Sequence, residues 1–190
     1  SETRKNLVIP LLTLLVAFPF GILVAGPFGN WMAEWLHRGI MALCGFSPVL
    51  MGVLIGGLWQ VLVSVGIHGI ITVLAFADVL AGNSSPLLAL SYSASFAVSG
   101  VAFAVFMRSR NSGEKQTAKA GAVSAIMGAT EPAMYALIKP DKKRFALCCA
   151  GGALGGATAG FFGISMHAYA GMGITGLFGF FQTGDVKLVG

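Results

Sequence analysis

The sequence predicts an all-α polytopic membrane protein of four or five transmembrane helices, with a re-entrant hairpin and one interfacial amphipathic helix. Three observations predict it. Charged residues make up 10% of the 190, against about 25% in an ordinary soluble domain. Apolar residues reach 56% and the mean hydropathy is +0.82. Several charge-free runs are long enough to cross a hydrocarbon core of about 30 Å. So few charges cannot cover a soluble surface, which excludes a water-soluble enzyme and a nucleic-acid binder. Disorder is excluded because disordered chains are poor in apolar residues. The 27 glycines fit membrane helices, where small residues let backbones approach closely.

Residues 1–6 are polar, with Arg4 and Lys5. Residues 7–26 carry no charge and read as the first span, bent by Pro10 and Pro19. Proline is tolerated in membrane helices when neighbours satisfy the freed carbonyls. Residues 28–45 place Trp31, Met32, Trp35, Leu36, Ile40 and Leu43 at helical spacing. Asn30, Glu34, His37 and Arg38 fall on the other side. That pattern, with tryptophan at its apolar face, predicts a helix lying in the membrane interface.

Pro48 to Ala77 is a further run without charge, interrupted by Gly66, His68 and Gly69. It divides into a span over 48–65 and a shorter helix over 70–80. Gly82-Asn83-Ser84-Ser85-Pro86 is a turn by composition. Residues 87–107 form the next span. Ser91, Ser93, Ser95 and Ser99 within it read as small packing residues bonded to their own helix.

Residues 108–119 and 139–144 are polar, strongly basic loops. Both belong on the cytoplasmic side by the positive-inside rule. The 19 residues between them are too few to cross twice, and a single crossing would separate the loops. A hairpin resolves this, dipping in over 120–129 and returning over 132–138. Irregular backbone at membrane depth is tolerated only where it is buried in protein or lines a cavity, so a site is expected here. Residues 145–164 read as a span whose glycines form small-xxx-small pairs for close helix packing. The tail 165–190 reads as a second broken hairpin or an incomplete span. Cys44, Cys148 and Cys149 lack metal-ligand spacing and read as packed free thiols. No cleavable signal peptide is expected, and the start at Ser1 reads as a cut from something longer.

Glu131 is the first candidate for chemistry. A carboxylate at membrane depth is costly unless paired or solvated, which makes it a functional hypothesis by default. Pro132 suits a first helical turn, and Thr130 or Glu131 suits the cap before it. A helix N-terminus favours an anion, and that carboxylate can accept hydrogen bonds from a polar ligand such as a sugar hydroxyl. The plainer alternative is a capping residue in a wet loop. His68, between Gly66 and Gly69, is the second candidate. It is either a satisfied core histidine or a group exposed to ligand at a helix break. Trp59 stacks on a sugar ring or anchors the packing, and Gln60 faces a helix partner or a cavity.

GATEPAMYALIKPDKKRF, followed by CCAGGALGGATAG, resembles the Gly-x-Thr-Glu-Pro-Ala-x-Tyr segment of bacterial phosphotransferase-system sugar permeases, the enzyme IIC components. The resemblance is to the β-glucoside/sucrose branch of the glucose superfamily. IPLLTLLVAFPFGILVAGPFGNW and GGLWQVLVSVGIHG resemble it as well, in the same order and spacing, so nearly the whole chain is covered. Ala136 stands where the family often has glycine, and Gly69 where it often has an aromatic residue.

The resemblance implies that residues 1–190 form the C-terminal, sugar-binding half of such a permease. Glu131 would bind the hydroxyl to be phosphorylated, with His68 beside it; these two are the expected catalytic residues. Thr130, Glu131, His68, Gly69, Trp59 and Gln60 are the expected substrate contacts. No cofactor and no metal are called for. The implied partners are the sugar, a IIB domain with a phosphocysteine, a IIA component, an N-terminal permease half and the lipid bilayer. The implied setting is a multi-pass homodimer in the bacterial inner membrane. Two other classes fit the residues alone: an ion- or proton-coupled carrier using Glu131, and a non-transporting remnant of a permease.

Overall fold

The computed structural model describes residues 2–181. The side chains of Arg4, Lys5, Asn30, Met32, Leu36, His37 and Cys44, and the tail from 182, lie outside the described residues. The chain divides into two compact units, Ser1–Gly39 and Ile40–Gly190.

The first unit is helical almost throughout. Helix α1 (Glu2–Phe20) continues through Pro10 and Pro19. A single π turn, Gly21–Ala25, joins it to α2 (Gly26–Phe46). The expected boundary between a span at 7–26 and an interfacial helix at 28–45 is not a break in the backbone. Gly26 keeps helical dihedrals, and its N–H bonds to the carbonyl of Gly21. The widened turn leaves room for Pro27, which cannot donate to the turn before it. Phe28, Trp31 and Trp35 form an exposed aromatic row with ring centroids 6.1 and 6.3 Å apart. Arg38 pairs with Glu34 one turn away.

The second unit starts its helices with matching signals. Ser47 caps α3 (Pro48–Val65) and Ser85 caps α5 (Pro86–Arg108), each followed by proline at the first helical position. Asn111 caps α6 (Ser112–Ile126), and Asp141 caps α8 (Lys142–Phe161). Between α3 and α5 lies α4 (His68–Leu80). Between α6 and α8 lie a single helical turn, α7 (Glu131–Ala133), and a π turn, Met134–Ile138. The tail adds a 3₁₀ segment, Gly173–Phe180, and a lone antiparallel bridge between Ser85 and Met166. No strand occurs among the described residues.

Helix α5 is the centre of the core, with Leu87, Leu88, Leu90, Ala94, Val98 and Ala102 buried. On one side α3 and α8 touch backbone to backbone. A Cβ added to Gly52 would lie 2.0 Å from the carbonyl oxygen of Gly156, and one on Gly56 would lie 2.1 Å from that of Gly152. The small-residue stripe therefore sets the spacing of these two helices. On the other side α6 and the chain after it fold into a hairpin against α5. Ala118, Ala122 and Ala125 meet Ala133, Met134 and Leu137 within that core, and Ser99 donates to the carbonyl of Ala122 at 2.9 Å.

The hairpin is longer than the sequence predicts. Residues 112–119, expected as loop, form the first half of α6, because Asn111 accepts from the N–H groups of Gly113 and Glu114. Both ends of the hairpin meet at one ion cluster. Arg144 pairs with Glu114 at 2.7 Å and with Asp141 at 3.2 Å, and it donates to the carbonyl of Leu137. The two basic segments thus sit together at one end of the second unit.

Three helical stretches among the described residues are long and apolar enough to cross a membrane: Val8–Gly29, Pro48–Val65 and Pro86–Arg108. The span predicted over 145–164 falls largely on helix α8, which is not among them. It opens on three basic residues and carries five glycines, so its apolar stretch is short. Helix α4 is a shorter apolar helix. The serines of α5 do more than bond within the helix. Ser91 bonds to Leu88, but Ser93 also reaches Gly152 and Ser99 reaches α6.

Candidate functional site

The buried stripe of α3 runs Met51, Ile55, Trp59, Val63, at helical spacing. It stops at Gly66, whose φ of 87° is a left-handed conformation suited to glycine. His68 then opens α4. Its ring stands edge-on to Trp59, with centroids 6.2 Å apart. Its carbonyl accepts from the hydroxyl of Thr72 at 3.0 Å. Its Nδ1 is buried and has no hydrogen-bond partner. A buried nitrogen in that state is costly without a ligand or water to meet it.

The hairpin brings the second half of the site. After α6 the chain turns through Gly128 (φ 103°). The N–H of Ala129 bonds to the carbonyl of Ser124, and the Ser124 hydroxyl donates to the carbonyl of Ala129. This fixes the tip. Thr130 follows, buried, at the cap position of α7, but its side chain makes no capping bond. Its carbonyl accepts from the N–H of Met134 at 2.9 Å. Glu131 is exposed, and its side chain makes no hydrogen bond or ion pair with any described residue. One turn on, the Tyr135 hydroxyl donates to the carbonyl of Val63, and Lys139 lies over the Tyr135 ring.

These elements enclose a cavity of about 290 Å³. Trp59, His68, Gly69, Thr130 and Glu131 all line it, so five of the six residues expected to contact substrate meet there. Gln60 does not line it. It is fully buried against α5, where its Nε2 donates to the carbonyl of Ala94 at 3.1 Å. Six lining residues are not among the expected contacts: Val63, Thr72, Val73, Ser95 and Gly128, with Met172 from the tail. The sequence alone predicts only a packing role for Ser95. Ser91, Ser95 and Ser99 share one helical spacing, and a uniformly apolar helix does not reveal which position meets a cavity.

Chemically, the site holds an unpaired carboxylate, an imidazole nitrogen without a partner, and nearby hydroxyls. Trp59 is a wall rather than an open platform, since it is only 4% exposed. The volume lies near the lower end for small-molecule sites, which run from about 300 Å³ upward. A larger cavity of about 530 Å³ lies elsewhere, between α5, α8 and the tail. Its walls are mostly apolar, Phe96, Phe162, Leu177 and Phe180 among them, and the Tyr92 hydroxyl there donates to the carbonyl of Gly173. Ser93, Thr158 and Ser165 also line it, but no carboxylate, imidazole or thiol does.

Among the described residues no three His, Cys, Asp or Glu side chains gather as metal ligands. Cys148 is buried and Cys149 partly so, and both are free thiols. Neither lines the cavity.

Comparison with known proteins places this geometry in context. Residues 5–152 match the family model described as "Phosphotransferase system, EIIC". The chain is 33% identical, over 97% of its length, to 29% of a "PTS system beta-glucoside-specific EIIBCA component" of Halalkalibacterium halodurans. It is 31% identical, over 90% of its length, to 36% of a "PTS system arbutin-, cellobiose-, and salicin-specific EIIBC component" of Escherichia coli. It is 32% identical, over 84% of its length, to 35% of a "PTS system sucrose-specific EIIBC component" of Klebsiella pneumoniae. The chain spans about a third of the length of the curated relatives it matches. No solved structure matches it.

Proposed function

The chain belongs to the phosphotransferase-system EIIC family, and from that membership we propose that it is the sugar-binding part of a phosphoenolpyruvate-dependent permease. One observation carries the reading. Glu131 and His68, 63 positions apart in sequence, line the same cavity. The relatives' names point to a β-glucoside, sucrose or an aryl glucoside as the class of sugar.

In this reading Glu131 accepts a hydrogen bond from the sugar hydroxyl that is to be phosphorylated. That hydroxyl oxygen attacks the phosphorus of a phosphocysteine on a IIB domain. The P–S bond breaks, the thiolate leaves, and the hydroxyl proton passes to the Glu131 carboxylate. A positioned base of this kind contributes typically 10²–10⁴-fold, and positioning supplies most of what a protein adds to phosphoryl transfer. His68 Nδ1 holds a second sugar hydroxyl or orients the first. Gly69, with no side chain, keeps the approach open, and Thr130 offers its hydroxyl.

The relatives are named as fused EIIBC and EIIBCA components, which supports IIB and IIA as partners. The basic end of the second unit would face the bacterial cytoplasm, where a IIB domain works. A further permease half and a homodimer complete the proposed assembly.

The test is calorimetric titration of the purified protein in detergent with β-glucosides, sucrose, trehalose and amino sugars. A sugar that binds the wild type and is lost in Glu131→Ala supports the reading. Binding that is unchanged in Glu131→Ala sinks it.

A further inference from the structure

We propose that the cavity where α5, α6 and α8 meet at the basic end of the second unit binds the phosphate headgroup of an anionic membrane lipid. One acyl chain of that lipid would lie along α5 and α8. The cavity measures about 460 Å³ and is separate from the Glu131 site.

Its walls change character along one direction. On α5, Val101, Ala104 and Val105 lead up to Arg108 on the same face, and on α8 Leu147 leads to Arg144. Residues spaced by three, four and seven positions lie one above another on a helix. At about 1.5 Å of rise per residue, the climb from Val101 to Arg108 spans the distance from upper acyl chain to phosphate. Arg108 closes one of the three helices long and apolar enough to cross a membrane, so this rim stands where lipid headgroups stand. A soluble anion would use only the upper half of such a cavity, whereas a phospholipid uses both halves.

The charge fits the same occupant. Segments 108–119 and 139–144 carry eight basic residues and two acidic ones. Inside the cavity, Glu114 is already engaged by the Ser109 hydroxyl and by Arg144. These contacts, the hydroxyl first, hold its carboxyl below the usual range. Asp141, outside the cavity, takes the other side of Arg144. Arg108 and Arg110 line the cavity, are exposed, and have no carboxylate partner among the described residues. Each guanidinium offers a fork of N–H donors that matches phosphate oxygens. Basic pockets between membrane helices are known takers of anionic headgroups.

The test is native mass spectrometry of the purified protein after exchange into detergent with phosphatidylglycerol or phosphatidylcholine. Phosphatidylglycerol should be retained over phosphatidylcholine by about tenfold or more. Arg108→Gln/Arg110→Gln should lower its retention about 25-fold, at about fivefold for each basic residue near an anionic lipid. Lys142→Gln/Lys143→Gln removes the same charge but should lower retention far less, because neither lysine lines the cavity. Val101→Trp, which fills the apolar half and leaves all charge in place, should also weaken retention. It gives an independent answer if the double arginine variant fails to fold. Equal losses in the two double variants would mean diffuse attraction and overturn the site. Full displacement by inorganic phosphate alone would assign it to a soluble anion. Loss of binding to a IIB domain, with lipid retention intact, would assign the arginines to protein docking instead.

Discussion

The hydroxyl of Tyr135 donates to the carbonyl of Val63 at 3.3 Å, and so ties the turn after Glu131 to the last turn of α3 before the break at Gly66. The two halves of the candidate site come from distant parts of the chain, and this bond joins them directly. Tyr135→Phe keeps the ring, and with it the contact to Lys139. It should lower stability by about 1 kcal/mol, the usual net worth of one hydrogen bond. Ligand affinity should fall as well. Thermal melting with and without sugar separates the two effects. Affinity that is unchanged at full occupancy would show that the bond only supports the fold.

Glu131 and His68 are distinguished by kinetics. Glu131→Gln retains a hydrogen-bond acceptor but removes the base, so phosphorylation in a permease completed with its IIB partner should fall by a larger factor than sugar affinity. Glu131→Ala should lose both, because the sugar hydroxyl then has no partner. His68→Ala should weaken phosphorylation more than it lowers the melting temperature. Equal losses of binding and phosphorylation in Glu131→Gln would leave Glu131 with a binding role only.

The α3–α8 contact should tolerate no side chain. Gly156→Ala would place a Cβ 2.0 Å from the carbonyl oxygen of Gly52. Backbone cannot yield as a flexible side chain does, so destabilisation at or above the usual overpacking range of about 1–3 kcal/mol is expected. Gly100→Ala on α5 meets nothing within 4 Å and should be neutral or mildly stabilising. Thermal unfolding of the two variants side by side checks this. Similar melting temperatures would contradict the packing.

The ion cluster predicts a pH dependence. The Ser109 hydroxyl and then Arg144 hold Glu114 below the ordinary carboxylate range, and the N–H groups of Lys143 and Arg144 hold Asp141 below it. A depressed folded-state value means stability that is present above the unfolded range and lost as pH falls through the folded value. Arg144→Gln should therefore melt below wild type at neutral pH, with the gap narrowing in acid. A gap of constant size across that range would rule out the ion pairs as its source.

The shared basic end predicts a topology. Cysteines introduced at Ser112 and Lys142 should react with a membrane-impermeant maleimide from the same side of the membrane, the cytoplasmic one. Both positions begin helices that meet at the Arg144 cluster. Labelling from opposite faces would refute the hairpin.

The sequence alone determined most of the second unit's secondary structure. Ser47-Pro48 and Ser85-Pro86 start α3 and α5 where a cap followed by proline must start them, and the charge-free runs set their lengths. The two basic segments, with 19 residues between them, called for a hairpin, and an unshielded carboxylate singled out Glu131. Which face of each helix meets which neighbour was decided only in three dimensions. An apolar helix such as α5 is hydrophobic all round, so periodicity does not tell Ser95, on the cavity, from Ser91, bonded to its own turn. Gln60 shows the same limit. Adjacent to Trp59 in sequence, it lies about 100° around the helix and bonds to Ala94 instead of lining the site. The cavity itself is a product of packing. It exists because the glycine-set approach of α3 to α8 and the Tyr135–Val63 bond bring the break at Gly66 and the tip at Gly128 to one place.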